Sequence, residues 1–564
     1  SLTRSSSKSS YYENGYTNGD KRATLNRGMG DGLRSVSTLN YNFNIGKNNV
    51  FSALLGNEVL KSDSESSQIT GRGYPSTFDY DTTMGLIHTA TTSFSATNSY
   101  SVPARTVSFF GRLSYTFMDR YLFTGTFRAD GSSKFAPDNR WGYFPAGAFA
   151  WRLSEEPFMK SLKPYISYLK LRGSYGIVGN DIVSDGSRFL YLPDAYTIST
   201  EKYGFGSIVN NVLAGAKESR IGNPNVTWET AAKQNYGIDL HFFDSRLKTS
   251  FDYFIEHRKD ILISRNINPG YLAVSLPIVN MGKVNNKGFE VTARWEDQIQ
   301  NVRYHIGTNW GYAKNEIVFN DEIPQPYEWM RRTGRPVGQQ FGYMYDGFFT
   351  EEEAANYASL KGKEGGIPDH GEGFTPLAGD VKYKDLNGDH KIDNNDVSAI
   401  GNPIYPLLTG NLSMGFSWKG LDFSMTWAGA FKTSRLVADF YRYPFGSTNN
   451  RSLLKYMIDD AWTPEKGNSA KAAISLTNSK PNNYKDSDLW LRDASYVRLK
   501  NLEVGYSFPQ GLLSKMHLSS LRISLSGYNL LTFDALGFSD PESNPSGDTY
   551  PLVKVINFGL KVGF

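Results

Sequence analysis

Apolar and polar residues alternate with a period of two along most of the chain, and the runs end in short clusters of turn residues. From Arg105 to Phe117, one face carries Val107, Phe109, Leu113, Tyr115 and Phe117, and the other carries Ser108, Phe110, Arg112, Ser114 and Thr116. The spacing predicts a two-residue turn at Met118 and Asp119. Tyr121, Phe123, Phe127 and Ala129 then alternate with Thr124, Thr126, Arg128 and Asp130. Successive side chains of a strand point to opposite sides, so this reads as an antiparallel hairpin with one oily and one wet face. The pattern returns where Leu247, Thr249, Phe251, Tyr253 and Ile255 oppose Lys248, Ser250, Asp252 and Glu256. It returns again where Leu421, Phe423, Met425 and Trp427 oppose Asp422, Ser424 and Thr426. Counted from Leu33 to the end, it predicts roughly fifteen strands, each near the ~10 residues that a tilted membrane strand needs.

Alternation alone also fits a water-soluble sandwich or propeller, which buries one face of each strand and wets the other. The connections favour a membrane barrel. Some strands are joined by very short turns, at Asp119, at Phe243-Asp244-Ser245 and at Trp418-Lys419-Gly420, whereas long polar segments run from Lys61 to Pro103, from Asp181 to Pro224 and from Thr433 to Asp488. Short turns at one end and long loops at the other are the habit of bacterial outer-membrane barrels.

Composition points the same way. Of 564 residues only 39% are hydrophobic while 14% are aromatic, and the 54 glycines exceed the roughly 7% that is usual. Mean hydropathy is -0.44. No apolar run approaches the ~18 residues of a membrane helix, so a chain that spans lipid must do so as a closed sheet. There is no cysteine, and Lys plus Arg number 60 against 56 Asp plus Glu, which leaves no disulfide framework and no basic run for nucleic acid. Ser1 to Ser10 is a polar, serine-rich stretch with no apolar signal region. In the last segment, Ile556, Phe558, Leu560, Val562 and Phe564 share one face, opposite Asn557, Gly559, Lys561 and Gly563. A final strand ending on Phe564 resembles the signal by which outer-membrane assembly machinery recognises its clients; the plain alternative is an edge strand that stops there.

Longer blocks carry a family resemblance. The segment FFGRLSYTFMDRYLFTGTFRADGSSKFAPDNRWGYFPAGAFAWRLSEEPFM (Phe109 to Met159) resembles the barrel of SusC/RagA-type TonB-dependent transporters of Bacteroidota. So do LKLRGSYGIVGND (Leu169 to Asp181), NPNVTWETAAKQNYGIDL (Asn223 to Leu240), VNMGKVNNKGFEV (Val279 to Val291) and YVRLKNLEVGYSFP (Tyr496 to Pro509). The resemblance implies an all-β, transmembrane antiparallel β-barrel in the bacterial outer membrane. Of the family's 22 strands, about fifteen or sixteen are expected here, with the plug domain, the TonB-contacting segment and the signal peptide outside this sequence. Residues 1–564 are then expected to be the C-terminal part of a larger chain. The implied function is TonB-driven import of oligosaccharides or oligopeptides. The implied partners are a SusD-like surface lipoprotein acting as a lid, the TonB complex, outer-membrane lipid and the barrel assembly machinery. A dimer of transporter-lipoprotein pairs and a single pair both stay open. A structural or assembly subunit that keeps the barrel without importing is the alternative.

Within the expected extracellular loop 350–400, the motif KYKDLNGDHKIDNNDV spaces oxygen donors as a calcium loop does. Asp385, Asn387, Asp389, the carbonyl of Lys391, Asp393 and Asp396 take its first, third, fifth, seventh, ninth and twelfth places. His390 stands where glycine normally makes the bend, and Asp396 replaces the bidentate Glu. The competing reading is an Asx-rich turn without metal. No cofactor is required. His88, His241, His257, His305, His370, His390 and His517 show no metal-like pairing and read as isolated surface or lumen residues. Glu155-Glu156 and Asp459-Asp460 are the available carboxylate pairs, but neighbours on a strand face opposite ways, and no catalytic motif accompanies them. The loop aromatics Tyr74, Tyr80, Tyr191, Tyr196, Tyr203, Phe205, Tyr327, Trp329, Tyr441, Tyr443 and Phe445 suit sugar stacking, contact with a lid, or the packing of their own loops.

Overall fold

The computed structural model describes all residues except 1, 12–21, 73–92, 183–188, 193–196, 205–211, 218–220, 268–275, 438, 445–452, 468–480, 538 and 544–551. Sixteen strands pair antiparallel in chain order in one large sheet. They are β1 (Leu2–Tyr11), β2 (Arg22–Ile45), β3 (Asn49–Arg72), β4 (Ser93–Phe117), β5 (Tyr121–Ser132), β6 (Trp141–Arg152), β7 (Ile166–Asn180) and β8 (Glu229–Phe242). The rest are β9 (Leu247–Ile263), β10 (Val279–Ile299), β11 (Val302–Phe319), β12 (Leu408–Trp418), β13 (Leu421–Phe431), β14 (Tyr496–Ser507), β15 (Ser520–Asp534) and β16 (Val555–Gly563). Contacts divide the chain into two compact units. The first holds Ser1–Phe149, Ser174–Lys233 and Arg258–Gly282; the second holds Ala150–Gly173, Gln234–His257 and Lys283–Phe564.

Turn chemistry explains the tight ends. Trp418 pairs with Leu421 across Lys419 and Gly420, both at positive φ (46° and 91°), the two-residue turn whose twist matches a hairpin. The β4–β5 turn corrects the two-residue expectation, because Phe117 pairs with Tyr121 and three residues, Met118 to Arg120, make the connection. Phe243, Asp244 and Ser245 are all left-handed, and the Ser245 N–H donates to Ser167 Oγ at 3.0 Å, which holds that strained run in place.

Several strands are longer than the ~10 residues expected. β2 and β3 are 24 residues each and β4 is 25, so the described parts of the polar stretch from Lys61 to Pro103, residues 61–72 and 93–103, are strand. Ser66 pairs with Ser99 and Gln68 with Thr97, and Gln68 donates to Asn26 at 2.8 Å. Ladder hydrogen bonds and cross-strand polar pairs carry these arms where no apolar face exists to be read in the sequence. The serine-rich start is likewise strand, with Leu2 opposite Asp31.

The two faces of the wall differ. In the first unit Phe109 and Leu113 are 52% and 53% exposed, although both are large and apolar. Rings on this face form a row across five strands near the short turns: Phe43–Phe51 at 4.9 Å, Phe51–Tyr115 at 4.5 Å, Tyr115–Phe123 at 6.2 Å and Phe123–Phe149 at 4.9 Å. The second unit repeats the device. Trp295 donates to the Tyr304 hydroxyl, Tyr304 pairs with Phe416, and Phe416 stacks on Phe423 at 5.5 Å. A second row lies eight residues further along β11 and β13, at Tyr312 and Phe431. Eight residues are about 26 Å along a strand, or roughly 20 Å after a ~40° tilt, close to the apolar band of a membrane barrel.

The long polar segments of the second unit fold on themselves. Phe348, Val381, Tyr383, Ile392, Val437, Tyr484 and Trp490 form a buried core from the β11–β12 and β13–β14 connections. Short strands stitch it, Tyr345–Phe348 with Val381–Tyr383 and Ser434–Leu436 with Leu491–Asp493. Residues 350–400 are therefore a folded piece, including a helix, Glu351–Leu360, that starts on a Thr350/Glu353 capping box. We call this region the cap.

Candidate functional site

The wet face of the wall is a set of cross-strand ion pairs. In the first unit Glu58 of β3 receives Arg34 at 2.6 Å and Arg128 at 3.2 Å. Arg128 also reaches Asp130 at 2.8 Å and Ser108 at 3.0 Å. In the second unit Arg172 of β7 clamps Asp252 through two bonds of 2.5 Å and touches Asp239 at 3.3 Å. Arg522 of β15 bridges Asp422 and Glu503. Arg498, 1% exposed, holds Asp540 at 2.8 Å and Glu542 at 2.6 Å, tying the β15–β16 connection to β14. The pairs arise because alternate residues of neighbouring strands share a face, so long side chains of opposite sign reach each other diagonally across the register, as Arg34 (opposite Leu60) reaches Glu58 (opposite Val36). Sequence reading missed them; the signal was present as Arg112, Arg128 and Asp130 on one face, but the partner strand's register could not be read.

The cap holds the calcium-spaced loop. Asp385 accepts from the N–H groups of Gly388 and His390, both at 2.7 Å. Asn387 accepts from Asp389 N–H at 3.1 Å, Asp389 from Lys391 N–H at 2.9 Å, and Asp393 from Asn395 N–H at 2.7 Å. Asp396 is fully buried and accepts from Leu386 N–H at 2.8 Å and Asp393 N–H at 2.9 Å. His390 takes the left-handed conformation (φ 64°) that its position demands. The six positions thus share one loop whose carboxylates are engaged by backbone donors. Among the described residues no three His, Cys, Asp or Glu side chains converge as a metal cage. Burial pushes the Asp396 carboxyl above its usual range, and the charges of Asp385 and Asp393 add to this while the two N–H donors oppose it.

Tyr327 and Trp329 stack at 4.6 Å against this loop, Trp329 donating to the Asn395 carbonyl at 2.8 Å and Tyr327 accepting from Asn387. Tyr441 and Tyr443 pack against the cap core. For these four, packing of their own segments is the observed role. Tyr191 stacks edge-on with Phe189, and Tyr203 sits in the strand Thr197–Gly204. Tyr74, Tyr80, Tyr196, Phe205 and Phe445, together with His88, lie outside the described residues.

His370 corrects the surface reading of the histidines. It is buried among Phe349, Tyr357 and Phe374, its backbone N–H donates to the Tyr357 hydroxyl at 2.9 Å, and burial pushes the pKa of its ring down to about 4. Lys485 lies over the rings of Tyr343 and Tyr383, and burial lowers its pKa too. Glu156 accepts from the Trp151 indole at 3.0 Å while Glu155 faces Lys163 at 3.8 Å, so that pair braces a turn. Phe564 is 95% exposed, one residue beyond the end of β16.

A family model described as TonB dependent receptor-like, beta-barrel matches residues 2–530. The TonB-dependent receptor P3 of Formosa agariphila is 29% identical over 503 residues, 83% of this chain and 46% of that protein. The TonB-dependent receptor SusC of Bacteroides thetaiotaomicron is 28% identical over 482 residues, 83% of this chain and 44% of that one. The chain thus spans about half the length of these relatives. The solved structure of the RagAB peptide transporter superposes with a TM-score of 0.74 at 21% identity, covering 100% of this chain and 59% of its own.

Proposed function

The chain belongs to the TonB-dependent receptor-like β-barrel family, and from that premise we propose that it forms the barrel wall of an active importer of large nutrients in the bacterial outer membrane. The oily face meets lipid, the ion-paired face lines the passage, and TonB-driven motion of the plug, outside this sequence, opens it. The observation that carries the reading is the pair of aromatic rows bounding an exposed apolar face in the second unit, opposite a face that carries cross-strand ion pairs. The family is one of receptors and transporters, so the chain's task is passage and not turnover. We further propose a SusD-like lipoprotein lid and oligosaccharides or oligopeptides as cargo.

The test is gene deletion in the native organism with fluorescent oligosaccharides and oligopeptides as cargo. Loss of uptake, restored by the intact gene and not by one whose TonB-contacting segment is removed, supports the reading. Unchanged uptake with a disrupted outer-membrane complex would favour a scaffold instead. Calcium at Asp385–Asp396 rests on the spacing of its oxygen donors. Titration calorimetry of the purified protein showing no Ca²⁺ binding at millimolar concentration would dismiss it.

A further inference from the structure

Within the second unit, the wet face changes character along β10 to β13. Thr292 lies opposite Asn309, and Asn309 opposite Asn411; one step along, Glu290 lies opposite Gly311, and Gly311 opposite Thr409. Ala428 and Ala430 extend the two rows on β13. Opposite residues on one face have Cβ atoms ~4.5–5.5 Å apart, so the uncharged polar groups form a compact block. The small residues leave a depression of about 480 Å³ there, inside the ~300–1,000 Å³ range of ligand sites. A side chain at Gly311 would meet only Glu290 Cγ at 3.8 Å and Thr409 Oγ1 at 3.9 Å, so the glycine is what opens the floor.

Charged neighbours on this face are consumed by each other. Arg294 holds Glu296 at 2.6 Å, and Arg498 holds Asp540 and Glu542. By contrast, Thr292, Asn309, Thr409, Asn411 and Glu290 have no side-chain partner among the described residues. We infer that this depression is a binding subsite for an uncharged, hydroxyl-rich unit of the cargo, a hexose ring of an oligosaccharide. An amide both donates and accepts, as does a hydroxyl, so two Asn and two Thr match the alternating donor and acceptor needs of sugar hydroxyls. Glu290 adds acceptors for two hydroxyls and repels anions. Gly311, Ala428 and Ala430 offer a flat apolar floor for a ring's C–H face. Few contacts on an open wall give weak binding, which lets cargo leave again.

The inference rests on the reading of the wet face as the lining of the passage, and its test separates the two. The full-length protein, purified from outer membranes, is titrated with neutral hexose hexamers and with an N-acetylated, C-amidated Ser/Gly heptapeptide. Two variants are compared, Asn309→Ala combined with Asn411→Ala, and Gly311→Val, which fills the floor with a strand-favouring residue. Ser413→Ala, on the same face beyond the block, is the control, and heat-modifiable gel mobility checks folding. At least tenfold weaker hexamer binding in both variants, with the control unchanged, is expected. Unchanged hexamer binding in folded Gly311→Val, no hexamer binding by the wild type, or preference for the peptide overturns it. Cells that bind through this subsite yet take up nothing would defeat the importer reading and leave the subsite standing.

Discussion

In the second unit, the wall keeps Ile306 and Phe416 exposed at 47% and 38%, while the cap holds Phe348, Val381 and Trp490 at 4%, 0% and 4%. Both regions are rich in aromatics and both are built from the same stretch of chain. They differ in what replaces water. The cap's rings enclose each other, with Asn483 as its polar keystone, receiving Val381 N–H at 2.9 Å and donating to Asp380 at 2.8 Å. The wall's rings stand side by side in rows, and many of the large apolar side chains on that face, Phe109, Leu113, Ile306 and Phe416 among them, stay exposed among the described residues. Burial in the cap is completed within the fold, whereas burial on the wall needs a second solvent, the bilayer.

That contrast can be broken first at the cap core. Trp490→Ala is expected to cost about 3–5 kcal/mol and to raise hydrogen exchange across residues 340–400. Trp418→Ala, on the wall, leaves that exchange unchanged. Next in size, Leu113→Arg places a charge on the apolar face of the first unit and should cost about 2–4 kcal/mol in refolding into lipid vesicles near mid-band. Arg112→Leu on the other face should cost well under half of that.

The pH response sharpens the comparison from the cap's side. His370, with its folded pKa depressed to about 4 from 6.5, favours the folded state only when neutral. The unfolded chain therefore binds the extra proton between those values, and cap stability, full above pH 6.5, falls as pH drops toward 4. The loss is at most about 3 kcal/mol, at ~1.4 kcal/mol per pKa unit, and His370→Phe should flatten it in a proteolysis titration. Smallest of all, Lys455→Ala removes the pair with Asp459 at 3.0 Å, whose lysine is 91% exposed. Thermal unfolding should move by less than about 0.5 kcal/mol.

Strands with one oily face were legible because lipid imposes strict alternation: Phe109, Leu113 and Phe123 announce themselves. The polar arms of β2 to β4 were not, since strands wet on both faces leave no periodic signal, and Ser62 to Gln68 reads as loop. The cap was hidden for another reason. Phe348, Tyr383 and Trp490 come from distant connections, so their common core exists only after folding. At the Asp-rich loop the positions were readable, yet their engagement by N–H donors depends on backbone conformation, as at left-handed His390. The polar block at Asn309 and Asn411 needed the register of four strands, which no single strand's sequence contains.

The most direct test uses the absence of cysteine from these 564 residues, any cysteine elsewhere in the full-length protein being replaced by serine. Single cysteines at residues 108 to 113 of β4, in the full-length protein in bilayers, carry a fluorophore challenged with brominated lipid. Quenching should alternate, strong at 109, 111 and 113 and weak at 108, 110 and 112. Uniform quenching, or protection of the odd positions from lipid, would contradict a wall with one face in the membrane.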